Sequence, residues 1–123
     1  MSAGADRGVA PLSIPRYAQN LNALAERAGM RVSTCVEPRA AEDPQLRLWS
    51  RWEGSKQQLR SLRLLTPGQE GLLARKRSAL TVPGTARQWI AALIHGHLET
   101  MGDQVCLVID HGPASRGVRT RLT

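Results

Sequence analysis

The groups best suited to chemistry gather in the last third of the chain: His95, His97, Cys106, Asp110 and His111. Imidazole, thiolate and carboxylate are metal ligands and acid–base groups. A metal needs them on a shared face. Read as part of a helix, His95 and His97 lie about 200° apart around the axis and cannot meet one ion. His97 falls between Leu93 and Met101 in the apolar arc, as a hydrogen-bonded core histidine would. His95 falls on the polar side with Gln88 and Glu99. The pattern therefore implies neither a metal site nor a cofactor.

Asp110 and His111 are the better pair. They stand where an apolar run ends and a Gly-containing loop begins, a common ligand position at strand ends. Ser115 and Arg116 in that loop suit an anion. Asp110, His111 and Arg116 thus make a candidate small-molecule pocket, binding or enzymatic. Against it, no helix follows whose N-terminus would hold a phosphate, and an Asp ends a strand equally well by accepting turn hydrogen bonds. Walker A, dinucleotide-binding, nucleophile-elbow and His-Glu-x-x-His signatures are absent, as is a zinc-type cysteine pair. This favours a binding module over an enzyme.

Charge points the same way. The 123 residues carry 17 Lys+Arg against 10 Asp+Glu, a net +7. Residues 47–87 hold nine basic groups and two acidic ones, so the whole excess lies there. Lys56, Arg60, Arg63, Arg75, Lys76, Arg77 and Arg87 are the candidate contacts to nucleic acid or to an acidic protein surface. Trp49 beside Lys56, Arg60 and Arg63 suits backbone tracking with base stacking. Residues 66–93 also have a superficial helix-turn-helix look, with Thr85, Arg87 and Gln88 opening the second helix. The Pro-Gly connector and the apolar run from Trp89 to Ile94 fit two ordinary helices better.

These residues need elements to hold them. Residues 1–12 read as a disordered tail and 13–123 as a single α+β domain. An amphipathic helix spans 14–28, capped by Ser13 and ended by Gly29. Met30–Val36 reads as a strand. The segment 44–65 reads as a helix weakened by Gly54. Thr66 and Gln69 have capping-box spacing for a helix to about residue 80, and Thr85 opens another to Met101. Gln104–Asp110 is an apolar run, the mark of a central strand covered on both faces. Val118, Thr120 and Leu122 alternate as a final edge strand. The expected architecture is about four helices on a sheet of about three strands, which a second subunit could complete as a homo-oligomeric scaffold.

Hydrophobic residues make up 41% of the chain, ordinary for a globular core. Aromatics are three Trp and one Tyr. Cys35 and Cys106 lie in apolar runs and read as buried thiols in a reducing compartment. No leader pattern and no membrane-length apolar run is seen. The expected setting is cytoplasmic, with no membrane partner.

Overall fold

A computed structural model describes residues 12–38, 42, 45–82 and 92–116. Its elements, in order, are β1 (Leu12–Ser13), α1 (Arg16–Arg27), β2 (Arg31–Pro38), β3 (Leu46–Ser55), α2 (Lys56–Ser61), α3 (Pro67–Arg75), β4 (Ser78–Val82), β5 (Ala92–Met101), β6 (Gln104–Pro113) and β7 (Ser115–Arg116). Five strands form one antiparallel sheet in the order β2-β3-β6-β5-β4. β1 and β7 pair separately as a two-stranded ribbon.

This corrects the expected four helices on three strands: the fold is α+β, but with three helices on a five-stranded sheet among the described residues. Two segments account for the difference. Most of the segment 44–65, expected helical, is strand β3, and only Lys56–Ser61 turn as α2. The expected helix ending at Met101 is strand β5 over 92–101. The helix-turn-helix reading of 66–93 fails for the same reason, since α3 is followed by β4 and residues 92–93 are already strand.

In both misread segments the burial has period two. Leu48, Ser50 and Trp52 are buried while Arg47, Trp49 and Arg51 are not. Ile94, Gly96 and Leu98 are buried, whereas His95 and Glu99 are exposed and His97 is half-buried. Alternation of this kind places one set of side chains on each face of a sheet. A run of 3.6-period contacts can coexist with it over ten residues, and pairing with β6 decides between them.

Other expectations hold. α1 follows its amphipathic pattern, burying Ala18, Leu21 and Ala25 and ending before Gly29 at φ 91°. Pro15 rather than Ser13 occupies its N-cap position. The capping box at Thr66 is made: Thr66 Oγ1 accepts from Gln69 N–H at 3.2 Å, and Gln69 Oε1 accepts from Thr66 N–H at 3.0 Å. The same device at Ser55 and Gln58 starts α2. β6 is the central strand, as its apolar run implies. Among the described residues the helices cover one face of it: Val105, Leu107 and Ile109 are buried toward the helices, while Cys106 and Val108 on the opposite face are half-buried. Of the expected tail 1–12, residue Leu12 belongs to β1 and the rest lies outside the described residues, as do the expected edge strand at 118–122 and Arg87.

The helices share one face of the sheet. Leu21 and Ala25 of α1, Leu59 of α2 and Leu73 of α3 close over Trp52, Leu80, Leu98 and Leu107 in a single apolar cluster. Trp52 is fully buried, and its Nε1 donates to Asn22 Oδ1 of α1 at 2.9 Å, which satisfies its one polar atom. No helix among the described residues is long and apolar enough to cross a membrane.

Candidate functional site: the Asp110–His111 bulge and the helical cations

β6 reaches its chemical residues through an irregularity. Trp49 of β3 pairs with Asp110, but Leu48 pairs with Gly112, so His111 is an extra residue on β6. Such a bulge re-aims side chains, and Gly112 at φ 103° supplies the backbone conformation that favours glycine. Asp110 and His111 consequently serve opposite faces of the sheet.

On the helix-free face, Asp110 is only 2% exposed. Arg47 Nε donates to its two oxygens at 3.1 and 3.0 Å. Arg77 Nη2 donates to Oδ2. Gly112 N–H donates to Oδ1 at 2.9 Å. The guanidinium of Arg77 also lies over the Trp49 ring, 5.4 Å from its centroid. A buried carboxylate needs such saturation, because a lone charge out of water is strongly unfavourable. The same saturation leaves Asp110 little capacity to bind a ligand.

On the helix face, His111 Nε2 and Ser50 Oγ are 2.8 Å apart. Tyr17 of α1 donates its hydroxyl to the His111 carbonyl at 3.2 Å and meets the imidazole edge-on at 5.6 Å. Burial pushes the His111 pKa down to about 4, against the raising influence of Asp110. Burial, and secondarily Asp110, raises that of Tyr17. Ser50 and His111 have the spacing of a nucleophile and its base. Three features oppose that role: Ser50 is 0% exposed, His111 Nδ1 has no hydrogen-bond partner to orient the ring, and Asp110 faces the other way. The Ser50–His111 pair is a polar clasp between β3 and the bulge, and Tyr17 ties the bulge to α1.

The remaining sequence candidates are dispersed. Arg116 lies in β7. His95 and His97 sit two apart on β5, not a helix, so they share the helix-free face; His97 Nε2 lies 3.7 Å from Glu99. No group of three potential metal ligands exists among the described residues. Cys35 is exposed and Cys106 half-buried, contrary to their expected burial. The pKa of each is raised, first by partial burial and then by carboxylates, Glu37 at Cys35 and Glu53 and Glu99 at Cys106, which disfavours the thiolate.

The cations of 47–87 divide into two groups. Arg47 and Arg77 serve Asp110, Arg51 lies 3.9 Å from Glu53, and Arg60 lies 3.3 Å from Glu70. Lys56, Arg63, Arg75 and Lys76 have no carboxylate within ion-pair distance among the described residues. Arg63, Arg75 and Lys76 are exposed, and Lys56 is half-buried at the start of α2. Residues 56–76 contain five basic groups and one acid, Glu70. Arg63 adds a further observation. It follows the C-cap of α2 at φ 55°, a left-handed conformation that costs a non-glycine residue roughly 1 kcal/mol.

Sequence reasoning missed Tyr17, Ser50 and Trp49 as partners of the bulge and the role of Arg47. No local signal could have joined residues 17, 47 and 50 to 110–111, because the link is made by strand register. No family model matches this chain, and neither does any curated protein or solved structure.

Proposed function

We propose that the protein is a binding module that holds a polyanion, in the first instance a nucleic-acid backbone, through the cations of α2, α3 and the turn between them. The observation that carries this reading is the surplus at 56–76: four cations without a carboxylate partner among the described residues, one of them held in a left-handed backbone conformation. A turn there needs glycine or asparagine for its backbone, so an arginine is retained at some cost to stability. Strain of this kind is characteristic of residues kept for function. The groups with catalytic chemistry offer less. Asp110 is saturated by arginines, and the Ser50–His111 pair is closed off from solvent on the Ser50 side.

The mechanism is charge neutralisation with counterion release and no bond making. Four phosphate contacts imply a slope of log affinity against log salt near about −3.6 on duplex DNA and about −3 on single strands. Fluorescence-anisotropy titrations with duplex and single-stranded oligonucleotides, and with an acidic peptide, test this at two ionic strengths. The combined variant Arg63→Gln, Arg75→Gln, Lys76→Gln should reduce the slope to about −1. Absence of oligonucleotide binding at low salt overturns the nucleic-acid reading. Binding to the acidic peptide alone transfers the surface to an acidic protein. Arg63→Gly separates the two costs: it should weaken binding yet stabilise the fold by up to about 1 kcal/mol.

A further inference from the structure

The five-stranded sheet ends on β2, an eight-residue strand whose one described neighbour is β3. Such an edge presents a row of backbone N–H and C=O groups to any chain that can pair with it. Edges kept monomeric usually carry a mid-strand proline, like charges or a bulge. β2 has none of these. Its register with β3 is regular from Arg31 to Pro38, and its one proline is the last residue.

Its charges are instead arranged symmetrically. Arg31 and Glu37 stand three residues to either side of Thr34. Laid antiparallel against itself about Thr34, β2 sets Arg31 opposite Glu37 twice, Val32 opposite Val36 twice, and Ser33 opposite Cys35 twice. All residues brought opposite one another share a face. The Arg, Glu, Ser and Cys lie on the helix-free side, and the two half-buried valines lie on the helix side. Shifting the register by one residue toward either end loses both ion pairs. The charges also have capacity for it. Glu37 accepts only a long contact from Cys35 Sγ at 3.9 Å and has no cation within ion-pair distance among the described residues. Arg31 touches Glu53 at 3.4 Å, yet its side chain is 83% exposed.

We propose that the protein forms a two-fold symmetric dimer by antiparallel pairing of β2 with β2 of a second copy, in the register centred on Thr34. The two sheets become one ten-stranded sheet with the helices of both copies on one side. The interface is isologous, as closed two-fold assembly requires, so each charge pair occurs twice. Cross-strand opposite charges favour this register, and the neighbouring registers lose them.

Sedimentation equilibrium of the full chain from about 10 μM to about 1 mM tests the proposal, this range bracketing weak and moderate association. The expected result is a monomer–dimer equilibrium with a dissociation constant in that range or below. Glu37→Arg should weaken the dimer about tenfold or more, because it replaces both attractive pairs with repulsive ones. Glu37 is exposed and makes no ion pair among the described residues, so circular dichroism should show the fold retained. Arg31→Glu combined with Glu37→Arg restores complementarity across the interface with the signs exchanged, giving up the exposed Arg31–Glu53 contact within the chain, and the dimer should return. A monomer across the whole range overturns the proposal. So does a dimer indifferent to Glu37→Arg, or a double variant no tighter than the single one.

Discussion

Replacing Asp110 by alanine tests the claim that the helix-free face is organised around one buried carboxylate. Asp110 is 2% exposed and receives Arg47 on both oxygens, Arg77 on one and the Gly112 N–H. The Arg47 side chain is 17% exposed and that of Arg77 29%, so neither guanidinium is fully hydrated once the carboxylate is gone. Removing one member of a buried ion pair costs about 3–5 kcal/mol, because the remaining charge is left uncompensated. Arg77 recovers part of its hydration, which places Asp110→Ala toward the lower end, near about 3 kcal/mol. For a chain of this length that lowers the melting temperature by roughly 12 °C. The assay is urea denaturation followed by far-ultraviolet circular dichroism, with the transition midpoint as readout. Added salt should change the difference little, since buried pairs are poorly screened. A loss below about 1 kcal/mol, the range of an exposed salt bridge, would refute the reasoning. So would a loss that 1 M salt abolishes, where the Debye length is about 3 Å.

Two further outcomes follow from the same geometry. His111 has a folded pKa near 4 against an ordinary 6.5, so the unfolded chain binds a proton that the native one refuses. The stability this represents is present above pH 6.5 and declines as pH falls from there toward 4. Allowing for partial exposure, the loss should be on the order of 2 kcal/mol, and His111→Gln should flatten the stability profile over that interval. A wild-type profile level between pH 6.5 and 4 refutes this reading. Thr66→Ala removes the hydroxyl that receives Gln69 N–H and should cost about 1 kcal/mol in the same denaturation assay, the cap alone, since Thr66 is exposed.

Much of the chain's local order is legible in its residue order. α1, β2, β6 and the start of α3 follow from apolar periodicity, β-branched runs and a capping box, signals complete within a few residues. The cationic surplus between residues 47 and 87 is likewise a property of composition. β3 and β5 are not legible in the same way. Leu48, Trp49 and Trp52 fit a helical arc as well as a strand, and β5 is rich in Ala, Leu, Glu and Met, which favour helix in isolation. Only lateral pairing with β6 resolves the conflict, by burying Leu48, Trp52, Ile94 and Leu98 on one side. That pairing reverses the relation of His95 to His97, from opposite sides of a helix to one face of a strand.

The candidate site divides along the same line. That Asp110 and His111 are notable groups at the end of an apolar run is a fact of sequence. That they face opposite ways is decided by a one-residue bulge against β3, and the partners each one finds there lie 33 to 94 positions away. Sequence determined which residues carry charge and where short-range order begins and ends. Tertiary structure decided which cations are consumed by Asp110 and which are left on α2 and α3, because ion pairing depends on distance in space and strand register alone sets that distance.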